Sequence, residues 1–166
     1  MAIIHTPGKR RSNRALTNFA IRAVTDYLCG GKSREWSQDN TAVYLDDENI
    51  VVKLFNRPIL ELKRKDDQVS TVYVYSGDYY DTYGNPTDLT RERLNGLLDA
   101  LGSLAIIPEN VRVTYDREYS MCYVVCHESK AAINKNYCTK VGIKADPIDF
   151  SVTDIGAACR GKSLEE

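Results

Sequence analysis

The sequence predicts an α+β fold: an N-terminal amphipathic helix, an antiparallel β-meander packed by a second helix, then a β-hairpin and an irregular C-terminal segment. Three observations lead there. Two stretches carry apolar residues at helical spacing, one ending at Gly30-Gly31 and one around 94–101. Between them, four short β-branched or alternating runs follow one another across separators of a few residues, and linkers that short join antiparallel neighbours. Beyond the second helix, the run 110–125 alternates, breaks at Asp116–Glu118 and resumes, as a hairpin does.

The first helix begins at Ser12 or Asn13, either of which can serve as N-cap. Leu16, Phe19, Ala20, Ala23 and Tyr27 fall on one side and Arg11, Arg14, Asn18 and Arg22 on the other, at about 100° per residue. Gly30-Gly31 tolerates the left-handed conformation that ends a helix. The polar segment around Trp36 reads as a loop or short turn that buries the indole. Strands are expected over 41–45, 50–55, 59–63 and 70–75. Pro58 has no N–H for a ladder, so the second and third runs meet at a bend or form one strand broken by a bulge. In the second helix Leu94, Leu97, Leu98 and Leu101 occupy i, i+3, i+4 and i+7, with Thr90 or Asp88 as cap and Gly102 as stop. The expected organisation is a flexible basic arm (1–11), an α+β domain (12–127) and a C-terminal extension (128–166) packed on it. That extension is hard to read: a weak apolar patch near 131–133, then the run "VGIKADPIDFSV", then a tail of small residues.

At 166 residues the chain is long enough for one real core, and its 43% apolar and 27% charged composition is that of a globular protein. A net charge of −1 gives no overall case for wholesale nucleic-acid binding. No apolar run reaches the roughly 18–20 residues of a membrane span, and the first residues lack the apolar core of a secretory signal. Five unevenly spaced cysteines argue for a reducing compartment rather than a disulfide framework. A cytoplasmic location, with no membrane association, is the expectation.

Several motifs look chemical. "GAACRGKS" (156–163) matches the phosphate-binding loop pattern letter for letter, but that chemistry needs a strand before the loop and a helix after it, and only three residues follow Ser163. "CGGKS" (29–33) follows a helix and reads as its stop. Cys122, Cys126 and Cys138 suggest zinc. Four residues of strand span roughly 13 Å, however, while two thiolates on one zinc lie about 4 Å apart. Buried cysteine as a small apolar side chain is the favoured reading. Cys126 and His127 are sequence neighbours that point to opposite faces of an extended chain, so they do not make a nucleophile–base pair. Asp78 and Asp81 lack the further spaced oxygen ligands of a cation loop. No catalytic residue, cofactor or metal is therefore expected, and the chain is read as non-enzymatic.

Two features are left for binding. Lys9, Arg10, Arg11, Arg14 and Arg22 concentrate positive charge at the N-terminus, a surface for nucleic acid or an acidic partner. Five of the eleven tyrosines cluster at Tyr73, Tyr75, Tyr79, Tyr80 and Tyr83. In "SGDYYDTYGNPTDLT", Asn85–Thr90 reads as helix-start chemistry. Asp78, Tyr79, Tyr80, Asp81 and Tyr83 exceed what a turn requires and form the candidate partner-binding loop.

Over about residues 33–102 a linked set of features stands out: Asn40 before a Val43-Tyr44-Leu45 strand, the apolar 54–59 stretch, the 77–83 aromatic loop, and Thr90, Arg93, Leu94 and Asn95 in a T-x-x-R-L-N helix. In these features the chain resembles a small domain recurrent in tailed-phage accessory proteins. Where that pattern has a short Gly-Trp turn, this chain carries "GDYYDTYGNPTD". The resemblance implies a viral accessory protein acting inside a bacterial host, without assigned catalytic residues. With no self-consistent catalytic set, and aromatic and charged groups left over on loops, the chain is read as a non-enzymatic protein that binds a defence or regulatory protein of that host, inhibition being one form that binding can take. Thr90 is then read as a cap, with Arg93 and Asn95 tying the helix start to the loop. The alternatives are a nucleic-acid binder using the basic arm, and a small enzyme or ligand-sequestering protein built on the Cys/His hairpin.

Overall fold

A computed structural model describes residues 13–29, 35–66, 68–126, 129–135, 137–141 and 151–154. The arm with Lys9, Arg10 and Arg11, the Gly30-Gly31 stop, His127 and the 156–163 motif lie outside the described residues.

The architecture is α+β. Helix α1 (Asn13–Leu28) precedes strands β1 (Trp36–Gln38), β2 (Thr41–Asp46), β3 (Asn49–Leu54), β4 (Arg57–Lys65) and β5 (Gln68–Val74). Helix α2 (Asp88–Ser103) follows, then β6 (Arg112–Asp116), β7 (Met121–Cys126), β8 (Ser129–Ile133), β9 (Tyr137–Val141) and β10 (Ser151–Asp154). Seven strands form one antiparallel sheet in the order β10-β9-β5-β4-β3-β2-β1, and β6-β7-β8 form a second.

The expected meander is present, with turns that explain its register. Phe55 and Asn56, at φ 50° and 63°, make the two-residue turn between β3 and β4, the twist that tight hairpins prefer. Register shifts between Val52 and Lys53, whose partners are Leu60 and Pro58, so Ile59 is the extra residue of a bulge. The missing N–H of Pro58 falls where the ladder is already interrupted. Across the strands, Val43, Val52, Leu60 and Val74 pair in one row and Ile50, Leu62, Val72 and Val141 in the next, all fully buried. Tyr73 and Tyr75 take the opposite, partly exposed face.

Three local expectations are corrected. Trp36 is not in a loop: it opens the edge strand β1, half-buried, its ring 6.4 Å from that of Phe19. The α2 cap is neither Thr90 nor Asp88 but Thr87, whose hydroxyl accepts the Thr90 N–H at 3.2 Å. Thr90 itself is buried, and Asp88 is the first helical residue, where its negative charge suits the helix dipole. Gly102 lies inside α2, which runs to Ser103, and Leu104 N–H closes the end on Ala100 C=O.

Leu94, Leu97, Leu98 and Leu101 of α2 are buried as expected, each contributing roughly 1.5–3 kcal/mol of transfer free energy. The two helices also pack on each other. A Cβ at Gly96 would run into Thr17 Cγ2, so the glycine sets how closely α1 and α2 approach. Beside this contact lies Arg93, fully buried. It donates to Thr17 Oγ1 at 2.9 Å, Thr41 Oγ1 at 3.0 Å and Asn40 Oδ1 at 3.3 Å. Burial pulls its pKa below the ordinary guanidinium value. Arg93 thus joins both helices to β2 and does not tie the helix start to the tyrosine loop. Asn95 likewise reaches away from that loop, exchanging hydrogen bonds with the N–H and C=O of Val113 on β6.

Candidate functional site

The loop between β5 and α2 folds into a small hairpin. Tyr79 bridges to Pro86, Tyr80 N–H donates to Asn85 C=O at 3.1 Å, and Gly84 N–H donates to Asp81 C=O at 3.1 Å. Gly84, at φ +76°, supplies the positive φ of this turn, beneath the Lys135 side chain. Asp81 is used inside the turn. Its Oδ1 accepts the Tyr83 and Asn85 N–H groups at 3.0 and 3.1 Å, and its Oδ2 accepts Asn85 Nδ2 at 2.8 Å. Desolvation opposes its ionisation, but the hydrogen bonds from Asn85, Tyr83 and Gly84 outweigh it and hold the carboxyl below its usual value.

Asn85 fixes the hairpin to the rest of the molecule. It is buried, donates through Nδ2 to Ser120 C=O at 2.6 Å, and accepts the Cys122 N–H at Oδ1 at 3.1 Å. Both partners belong to the β6–β7 hairpin, so the side chain reads as a pin between two hairpin tips rather than as helix-start chemistry. Lys135 Nζ adds a contact to Thr82 C=O at 3.3 Å.

The consequence is a paired display. Among the described residues six large hydrophobic side chains are exposed, and four of them, Tyr79, Tyr80, Tyr83 and Tyr119, sit on these two tips. Single exposed apolar residues need no explanation; a cluster held by a buried polar side chain does. Tyr119 was missed in the sequence because the break of the second hairpin reads there as Asp116–Glu118, which puts Tyr119 in the resumed strand, whereas the turn covers 117–120; an aromatic residue beside a predicted hairpin break was the available signal.

The tips flank a cleft of about 470 Å³ lined by Tyr80, Thr87, Asp88, Leu89, Arg91, Tyr115 and Arg117. The Tyr80 and Tyr115 rings meet edge-on at 6.1 Å. Partial burial first, and a hydrogen bond with Tyr115 second, push the Tyr80 phenol up to about 12. Arg91 donates to Pro86 C=O at 3.0 Å, pairs with Asp88, and holds its guanidinium 5.3 Å from the Tyr115 ring centroid. Asp78 pairs with Arg57 at 3.3 Å, and both side chains stay half-exposed.

The remaining candidates separate from this surface. Arg14 is exposed on α1, while Arg22 stacks on Phe19 with its guanidinium 5.3 Å from the ring centroid. Cys122, Cys126 and Cys138 are buried as small apolar side chains. Burial pushes the Cys122 and Cys126 thiols up, away from the thiolate a nucleophile or metal ligand needs. Among the described residues no group of three or more His, Cys, Asp or Glu could hold a metal, and no helix is long and apolar enough to cross a membrane. No protein-family model, curated protein or solved structure matches the chain.

Proposed function

We propose that this chain is a non-enzymatic binding protein whose interface is the tyrosine surface on the two hairpin tips. Its partner is a protein of a bacterial host cell, engaged in the cytoplasm by a phage-type accessory protein. The observation that carries the reading is the gathering of Tyr79, Tyr80, Tyr83 and Tyr119 on backbone fixed by Asn85 and Asp81. Tyrosine offers large amphipathic contact area at low entropy cost, and fixing the backbone beforehand lowers the ordering penalty of association. The host and the phage origin rest on the sequence resemblance; the protein-binding role rests on the surface.

The test is capture from lysates of candidate bacterial hosts with the tagged full chain and a Tyr79→Ser, Tyr83→Ser, Tyr119→Ser variant. Tyr80 is left in place because its ring packs on Tyr115. A protein retained by the wild type and lost from the variant, at equal thermal stability, is the expected result. Equal retention by both chains excludes the tyrosine surface as the interface.

A further inference from the structure

We propose that the cleft beside the tyrosine surface is a subsite for one carboxylate side chain, an Asp or Glu, of the bound protein; this rests on reading that surface as an interface. The charges favour a monoanion. Arg91 and Arg117 bring two positive charges to the cleft and Asp88 one negative, leaving a net +1. A carboxylate neutralises it, whereas a phosphate dianion would leave excess negative charge beside Asp88.

The two arginines have different roles. Arg91 is committed to Pro86, Asp88 and the Tyr115 ring, and so forms a fixed wall. Arg117 is exposed, and among the described residues no hydrogen bond or ion pair engages it. Its planar fork of donors matches a carboxylate in two-point contact. Leu89 and the Tyr80 and Tyr115 rings supply apolar walls for the methylenes of the incoming side chain, where a charge-assisted hydrogen bond is less screened than in open water. The Tyr80 phenol keeps its proton throughout the physiological range.

The backbone next to the cleft suits an extended segment. Asn95 takes both the N–H and the C=O of Val113, so these groups point away from β7. In an antiparallel strand that orientation recurs two residues on, at Tyr115. The Cys122 N–H, across from Tyr115, goes to Asn85, which agrees with that alternation. Asn95 therefore closes the β6 edge at Val113, while the Tyr115 N–H and C=O turn outward beside Arg117, where a strand-like segment can add its own hydrogen bonds.

The experiment titrates the isotope-labelled full chain with acetyl-Gly-Glu-Gly-amide and follows the Leu89 and Arg117 amide and arginine Nε–H resonances. Saturable shifts at those positions are expected, with the dissociation constant raised about five- to ten-fold by Arg117→Gln. The matching Gln tripeptide should produce no saturable shift. Equal response to the Gln tripeptide, an unchanged constant in Arg117→Gln, or tighter binding of inorganic phosphate overturns the carboxylate assignment. Arg117 is exposed, so the variant folds, and unchanged resonances elsewhere verify it. The Tyr79/Tyr83/Tyr119 serine variant should still bind the Glu tripeptide. Loss of tripeptide binding alone removes the subsite, and loss of tyrosine-dependent capture alone removes the interface.

Discussion

Replacing Asn85 with alanine should destabilise the chain by about 3 kcal/mol. The substitution leaves the Cys122 N–H and the Ser120 C=O without their partner, and Asp81 Oδ2 without its donor. A buried backbone group left unpaired costs about 1–3 kcal/mol, and the partly buried Ser120 C=O falls toward the low end of that range. Asp81 keeps the N–H groups of Tyr83 and residue 85, so its loss is smaller. Taking the low half of the range for the two backbone groups and a few tenths for Asp81 gives the total. Against a stability of about 5–15 kcal/mol for a typical domain this is a large share. In a chain of this size it lowers the thermal midpoint by roughly 6–12 °C. Urea unfolding followed by circular dichroism measures it, with hydrogen exchange at residues 79–86 showing whether the hairpin loosens first. A loss under about 1 kcal/mol with unchanged exchange at 79–86 would refute the pinning argument.

Other consequences follow from the same bonds. Arg93→Ala removes two buried hydrogen bonds and a partly buried third and opens a cavity, an expected loss of about 3–4 kcal/mol; Arg93→Met refills much of the volume and should recover about 1–2 kcal/mol of it, as urea midpoints will show. Asp81 has a folded pKa below its unfolded value of about 3.9, so its contribution is complete above that pH and lost as pH falls through the lower folded value. Amide exchange at Tyr83 and Asn85, measured from pH 6 down to pH 2, should show hairpin protection held to below pH 4 and then lost, with Asp81→Ala unprotected throughout.

What the sequence disclosed follows from the range over which each signal acts. The stripe of α2 and the short separators of the meander are local, and both elements formed as read. The surplus of Asp78–Tyr83 was read from composition alone, and Asp81 leaves it, because its carboxylate is spent on the Tyr83 and Asn85 N–H groups within the turn. Asn85 and Arg93 were misread because their partners are remote. Asn85 meets Cys122 across 37 positions, and Arg93 meets Thr17 across 76. A buried polar residue with distant partners has no periodicity, so Asn85 passed for turn chemistry next to Pro86 and Arg93 for a flank of Leu94. Trp36 was hidden for another reason: three residues at a sheet edge are too few to alternate, and only pairing with β2 makes them a strand. The place of β9 beside β5 was equally silent, since ladder partners far apart in sequence leave no spacing to read.

The central claim is that the two pinned hairpin tips are the contact surface. Hydrogen–deuterium exchange of the full chain, free and bound to a captured host protein, tests it most directly. Slowed exchange confined to residues 79–86 and 115–120 is the predicted result. Slowed exchange over the Arg14–Arg22 face of α1, with the tips unchanged, would contradict it.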